Sequence, residues 1–182
     1  MNIMKKILQK EAPVLREICK SIPLEEISSP QIQKILKEMS TALASQDDGV
    51  AIAAPQIGYP LRIFVVSKKV VGIMKKEDKQ PSEKAKDSVY INPILKKVSR
   101  ERATVEEGCL SIRYLYGKVS RGEKATVVAY DENGKKFERG GTGLLAQIFQ
   151  HEMDHLDGIL FIDKAKFVEE IPPVKQSAKK QK

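Results

Sequence analysis

The sequence predicts a single α+β domain in which a few antiparallel strands pack around a central helix. Its length of 182 residues suits one compact unit, because domains commonly hold about 100–200 residues. Residues 29–44 and 142–157 carry the apolar spacing of helices, whereas short runs between them have β-strand character. No stretch approaches the roughly 18 apolar residues of a membrane span, and no apolar region follows the basic N-terminal residues. We therefore expect a cytoplasmic protein without a membrane anchor.

The two predicted helices have recognisable ends. The first has Ser29 as candidate N-cap and Pro30 in its first turn. Its apolar residues are three and four positions apart, namely Ile32, Ile35, Leu36, Met39 and Leu43. The second has Thr142 as candidate N-cap and stops at Asp157-Gly158. Both segments are therefore predicted as helices that bury an apolar face.

Three short runs predict strands, at residues 62–67, 89–95 and 124–130. The last run is followed by Asp-Glu-Asn-Gly at 131–134 and then by a partly alternating polar segment. A turn sequence of this kind between two β-like segments predicts a β-hairpin.

The net charge of +8 is concentrated in two segments. Residues 68–86 hold seven lysines against three acidic residues, and residues 174–182 hold four lysines and no acid. Neither segment contains arginine or an aromatic ring that could stack on bases, so we expect no direct DNA binding. The chain is accordingly divided into a domain at 1–168, with a Lys-rich loop insertion at about 68–88, and a basic, flexible tail at 169–182.

The second helix is apolar on most sides, yet it carries the only two histidines of the chain, His151 and His155. Buried ionisable groups are costly unless they are paired or bind a metal. Residues four apart lie one helical turn above each other, so both histidines can bind one ion, and Glu152 beside them can move a proton. The fold prediction therefore becomes one of antiparallel strands around a central metal-binding helix.

A site of this kind needs a third protein ligand and leaves a fourth position for water. Cys109, in the sequence Glu-Glu-Gly-Cys-Leu-Ser, is the favoured candidate because a thiolate is a strong ligand. A zinc peptidase using Glu169 or Glu170 stays open as an alternative, as does a closed structural metal site. Phe161 stands where a third histidine of one peptidase class would be, and Cys19 is expected to be an ordinary core cysteine.

Three segments together resemble the polypeptide deformylases: GVAIAAPQ at 49–56, EGCLS at 107–111 and QHEMDH at 150–155. The resemblance implies removal of the N-formyl group from the initiator methionine of nascent polypeptides, with release of formate. It assigns Glu152 as general base and acid, and Gln56 with the backbone N–H of Leu110 as donors to the oxyanion. It also implies one divalent metal ion, physiologically Fe(II), with Zn, Ni or Co as ions of the isolated protein. The implied ligands are Cys109, His151 and His155.

The same resemblance implies substrate contacts and supporting residues. The substrate pairs with the enzyme as a β-strand and places its methionine in a pocket. The implied substrate-binding residues are Gly49, Val50, Ala51, Val105, Glu107, Gly108, Leu144 and Ile148. Arg121 is expected to pair with Glu107 or Asp154 and so to hold the ligand-bearing segment.

The chain departs from the family at the rim of this site. Ala51 stands where a second glycine is usual, Arg113 stands where bacterial members often have proline, and Gln147 replaces an apolar residue. Tyr116 belongs to the same rim segment, so these changes put the shape of the rim in question. The resemblance to bacterial members also implies that a basic C-terminal tail can dock on the ribosome, here through Lys175, Lys179, Lys180 and Lys182. Pro172-Pro173 would, however, break a helix in this tail. We expect the protein to be a monomer.

Overall fold

The structure is a computed structural model that describes residues 4–70, 73 and 86–172. Helix α1 spans Pro30–Ala44 and helix α2 spans Leu144–Leu156. Short 3-10 turns occur at Pro13–Arg16, Leu24–Glu26, Ala54–Ile57 and Phe161–Asp163. The strands are β1 (Ala51–Ala53), β2 (Ile63–Val66), β3 (Ser88–Val98), β4 (Arg102–Cys109), β5 (Ile112–Gly122), β6 (Lys124–Tyr130), β7 (Lys136–Thr142) and β8 (Lys166–Glu170).

The strands form two antiparallel sheets. One sheet has the order β1-β2-β3-β6-β7, and the other has the order β4-β5-β8. Helix α2 packs on the five-stranded sheet, where Phe149 lies among Phe64 and Tyr90 in an apolar cluster. The predicted class, a single α+β domain with antiparallel strands around a central helix, is confirmed. Among the helices of the described ranges, none is long and apolar enough to cross a bilayer.

The locally predicted elements are present. The Ser29 side chain accepts a hydrogen bond of 3.3 Å from the Ile32 N–H, which caps helix α1 as predicted. The three β-like runs correspond to β2, β3 and β6. The predicted hairpin joins β6 to β7, and the Asp131 carboxylate accepts hydrogen bonds from the N–H groups of Asn133 and Lys135 in its turn.

The predicted N-cap of helix α2 is wrong. Thr142 is the last residue of β7 and pairs with Lys124, so its backbone stays in the β-ladder. Gly143 makes the turn into the helix with φ +53°, a conformation that favours glycine, and it donates a backbone hydrogen bond to Glu123. The helix therefore begins with a glycine turn and no side-chain cap.

The last strand differs from the predicted tail. Glu169 and Glu170, predicted to begin the tail, lie in β8 opposite Tyr116 and Leu115 of β5. All residues of β8 are exposed, so an apolar pattern could not reveal it, and its backbone pairing with β5 holds it. Residues 173–182 and most of the predicted loop at 68–88 lie outside the described residues.

Candidate metal centre

Three side chains from two elements meet beside helix α2. Cys109 is the last residue of β4, and His151 and His155 lie one turn apart on α2. Their ligand atoms all lie within 4.8 Å of one another, and the Cys109 Sγ is 3.2 Å from the His155 Nε2. Glu169 and Glu170, the alternative third ligands, lie exposed on β8 and are not part of this cluster.

The path of β4 at Gly108 delivers Cys109 to the helix. The β4–β5 register shifts between Gly108 and Cys109, so that Cys109 faces Ile112 across a tight turn. A Cβ on Gly108 would lie 2.8 Å from the ring of Tyr116, which is closer than real contacts allow. The close approach of Tyr116 to the strand backbone therefore requires glycine, and the next residue is the sulfur ligand.

The charge environment of Cys109 favours its thiolate. Burial raises the pKa of this thiol, but His155 and His151 more than offset the effect and lower the pKa to about 5. The Ser111 N–H and the Gln56 side-chain amide lie 3.4 and 3.5 Å from the sulfur. Because the thiolate is the form that binds metals, the surroundings prepare Cys109 as a ligand.

Glu152 lies buried beside the three ligands with one oxygen unpaired. Its Oε2 has no hydrogen-bond partner within the part of the chain that the structure describes, and burial raises the pKa of its carboxyl group. The His155 Nδ1 is likewise buried without a partner there. One thiolate and two imidazoles form a donor set for a divalent metal that leaves a position for water, which Glu152 could deprotonate. The residues present therefore fit one divalent metal ion.

A chain of charged groups supports His151 from behind. The Glu107 Oε2 lies 3.0 Å from the His151 Nδ1, and Glu107 accepts two hydrogen bonds, of 2.7 and 2.8 Å, from Arg121. Arg121 also donates to Asp154 at 2.7 Å, so it contacts both expected partners. Lys164 donates to the other oxygen of Asp154 at 2.6 Å. A ligating histidine is oriented by the acceptor of its second ring N–H, so this series of paired charged groups fixes the orientation of the His151 ring.

Glu107 and Arg121 are buried, so their charges must remain paired with each other. Glu107 and Arg121 are 3% and 4% exposed, so neither can exchange its partner for bulk water. Burial raises the pKa of Glu107, but Arg121 and His151 lower it to about 2. No sequence pattern predicts the position of Lys164, because it follows the Phe161–Asp163 turn and belongs to no motif.

A cavity of about 310 Å³ opens in front of Cys109, His151 and Glu152. The implied oxyanion donors, Gln56 and Leu110, line it. The implied substrate-binding residues at its wall are Gly49, Val50, Ala51, Glu107, Gly108, Leu144 and Ile148. Val105 is not among the lining residues, and it lies in β4 two residues, or roughly 7 Å, before Glu107 and so further from Cys109 along the strand. Arg121, Asp154 and His155 lie outside the lining as well.

Contacts at the rim of the cavity were not predicted. Arg113 lines the cavity and donates to the Asp48 carboxylate at 2.7 Å and to the Gln46 side chain at 2.5 Å. Gln147 donates to the backbone carbonyl of Glu106 at 2.8 Å. The departures of Arg113 and Gln147 from the family pattern marked the rim, but their partners are at least 41 residues away in sequence.

The fold and this cluster define an α+β metalloprotein with one cysteine and two histidines as ligands beside a buried glutamate. The sequence profile of the polypeptide deformylases matches residues 4–170. The chain therefore belongs to the polypeptide deformylase family.

Known proteins similar to this chain cover most of its length. It is 40% identical over 162 residues to the chloroplastic peptide deformylase 1A of Solanum lycopersicum. This match covers 87% of this chain and 58% of the Solanum protein. It is 41% identical over 160 residues to peptide deformylase 2 of Clostridium acetobutylicum, a match that covers 88% of this chain and 94% of the Clostridium protein. A crystal structure of the class I type b peptide deformylase of Acinetobacter baumannii with Met-Ala-Ser bound has a TM-score of 0.76 at 28% identity. That match covers 90% of this chain and 99% of the Acinetobacter chain.

Proposed function

We propose that this protein is a peptide deformylase that hydrolyses the N-formyl group of N-formylmethionyl nascent peptides and releases formate. The observation that carries the proposal is a carboxylate oxygen of Glu152 that has no hydrogen-bond partner among the residues the structure describes. It is buried beside Cys109, His151 and His155 at the wall of the cavity. A closed structural metal site needs no such carboxylate, whereas hydrolysis needs a group that moves protons.

Cys109, His151 and His155 would hold the metal ion. When bound, a divalent ion supplies Lewis acidity and lowers the pKa of water at the site, so that a nucleophile forms at neutral pH. We propose Fe(II) as the physiological ion, which the resemblance to the family supports. Zn, Ni or Co are expected in protein isolated in air, because the same donor set also suits these ions.

The protein residues supply proton transfer and charge stabilisation. Glu152 accepts the proton that the attacking water loses and returns it to the amine nitrogen as the formyl C–N bond breaks. Gln56 is buried, and its Oε1 accepts a hydrogen bond of 2.8 Å from the Ala53 N–H, which orients its amide nitrogen toward Cys109. This nitrogen and the Leu110 N–H are the proposed donors to the oxyanion that forms during the attack.

Among the strands of the described residues, each sheet has an edge strand beside the cavity. Strand β1 is the edge of the five-stranded sheet, and β4 is the edge of the three-stranded sheet. We propose that the peptide adds between them as a strand, with its methionine against Val50, Leu144 and Ile148. The Met-Ala-Ser peptide bound to the Acinetobacter protein supports this substrate class.

The proposed setting is the cytoplasm, with nascent peptides as substrates and a monomer as the working form. The plant relatives are named as organellar proteins, so location is best tested in the native host. Ribosome docking through the tail lysines is part of the same proposal and concerns residues outside the described ranges. Deletion of residues 172–182 should then abolish co-sedimentation with ribosomes, and unchanged co-sedimentation would contradict docking.

The decisive experiment measures formate release from a formyl-methionyl tripeptide by protein purified without oxygen and supplied with Fe(II). The matched control is Glu152→Gln, which keeps the shape of the side chain but cannot accept the proton. We expect the rate to fall about 10³-fold in this variant while its metal content stays at the wild-type level. No formate from folded, metal-bearing wild-type protein would reject the proposed function.

A further inference from the structure

The N-terminal segment Ile7–Gln9 contacts both chain segments that carry the proposed oxyanion donors. The Leu8 N–H donates a hydrogen bond of 2.8 Å to the backbone carbonyl of Gln56. The side-chain amide nitrogen of Gln9 donates a hydrogen bond of 3.1 Å to the backbone carbonyl of Leu110. One short segment therefore ties together two parts of the site that are 54 residues apart in sequence.

Gln9 bridges the turn that follows the cysteine ligand. Its Oε1 accepts from the Arg113 N–H at 3.4 Å, so one amide group contacts both the Leu110 and the Arg113 ends of this turn. The Nε2 is also 3.5 Å from the carbonyl of Ile7. The β4–β5 register is broken between Gly108 and Cys109, so the regular strand pairing is interrupted next to this turn. The side chain of Gln9, which lies in neither strand, contacts the turn instead.

The orientation of Leu110 links this contact to catalysis. Its N–H and its carbonyl are separated by the two backbone dihedrals of one residue, in a turn whose ends are held by the pairing of Cys109 with Ile112. In so short a turn, fixing the plane of the carbonyl limits the directions that the N–H can take. Oxyanion donors act only when they already point to the place where negative charge develops. Small misplacements of such groups, of about 1 Å, can lower a rate roughly 10²-fold.

We propose that Gln9 is a positioning residue that sets the direction of the Leu110 N–H for the oxyanion. This inference rests on the proposed deformylase function. Gln9 itself is exposed and does not line the cavity, so it acts through the backbone of the turn and not on the substrate. No sequence motif singles it out, because the contact spans 101 residues.

The test compares Gln9→Leu with Gln33→Leu in the metal-loaded, full-length protein. Gln33 is a matched control because its side-chain amide also donates to two backbone carbonyls, those of Ile27 and Glu132, but far from the site. We expect Gln9→Leu to lower kcat about 5- to 10-fold with KM unchanged within about twofold. Metal content and Tm should match those of Gln33→Leu.

A second variant separates the two ends of the Gln9 amide. Gln9→Glu keeps an acceptor for the Arg113 N–H but has no donor for the Leu110 carbonyl, so it should lose as much kcat as Gln9→Leu. A kcat equal to that of Gln33→Leu would overturn the inference. So would a loss of kcat accompanied by an equal loss of metal. Wild-type protein and Glu152→Gln are assayed alongside, so inactive wild type would identify failure of the proposed function itself.

Discussion

One side of helix α2 packs against the five-stranded sheet, and the other side faces the three-stranded sheet. The first side carries Leu145, Phe149 and Leu156, which are buried in an apolar cluster. The second carries His151 and Glu152, whose surroundings are the sulfur and the charged groups on β4 and β5. The same helix therefore anchors the fold through its apolar side, whereas the side chains on its polar side are held in place by polar contacts.

Truncation on the apolar side should destabilise the protein without altering the site. Phe149 is fully buried and its ring centroid lies 5.4 Å from that of Tyr90. Phe149→Ala should lower the free energy of unfolding by about 3 kcal/mol, measured by urea denaturation. Formate release per folded molecule should stay within about twofold of wild type. Phe167→Ala is the control, because Phe167 is 87% exposed and its loss should change stability by less than about 0.5 kcal/mol.

A large loss of activity in folded Phe149→Ala protein would show that the two sides are coupled. Equal destabilisation by Phe149→Ala and Phe167→Ala would contradict the role of the apolar cluster as the anchor of the helix.

The two cysteines differ in the same way as the two sides of the helix, because Cys19 lies in the apolar cluster that contains Phe149. Its N–H donates to the carbonyl of Leu156 at 2.9 Å, its side chain is buried, and burial raises its pKa to about 11. In a Cys109→Ser chain at pH 8, Cys19 should react with iodoacetamide at least about 100-fold more slowly than a free thiol. The rate should rise with pH, because the thiolate fraction grows as pH approaches the raised pKa.

Unfolding by urea provides the control for the thiol measurement, since it should restore ordinary reactivity to Cys19. Fast labelling of the native chain would mean that this part of the core opens readily.

The apolar side could be predicted from the sequence more fully than the polar side. Helix spacing and β-like runs follow from local periodicity, and the i, i+4 histidines could be placed on one helix face for the same reason. Strand β4 was marked only at its cysteine end, because Arg102, Thr104 and Glu106 are exposed and leave no apolar run. Contacts such as Gln9 with Leu110 depend on tertiary approach, which no local pattern contains.

Replacing Arg121, which pairs with both Glu107 and Asp154, should weaken metal binding. Arg121→Lys keeps a positive charge but cannot donate to both oxygens of Glu107 and to Asp154 together. We expect metal affinity to fall about 10- to 100-fold, measured by competition with a chelator. Arg102→Lys is the control, because within the described ranges the Arg102 side chain bonds only to Ser120, on the exposed side of β4. Unchanged metal affinity in Arg121→Lys would show that these charged groups do not support metal binding.

Lys164 marks how far the polar side of the helix extends toward solvent. Lys164 forms the outer end of the charged chain, with its side chain 41% exposed, so water screens its ion pair with Asp154. Lys164→Met should lower metal affinity by about twofold to threefold, since Arg121 alone would then hold Asp154. Lys96→Met removes an exposed ion pair of the same 2.6 Å length, with Glu138, on the five-stranded sheet, and it should leave metal affinity unchanged. Equal affinities in the two variants would show that Lys164 does not support the metal site, so that the charged groups that matter end at Asp154.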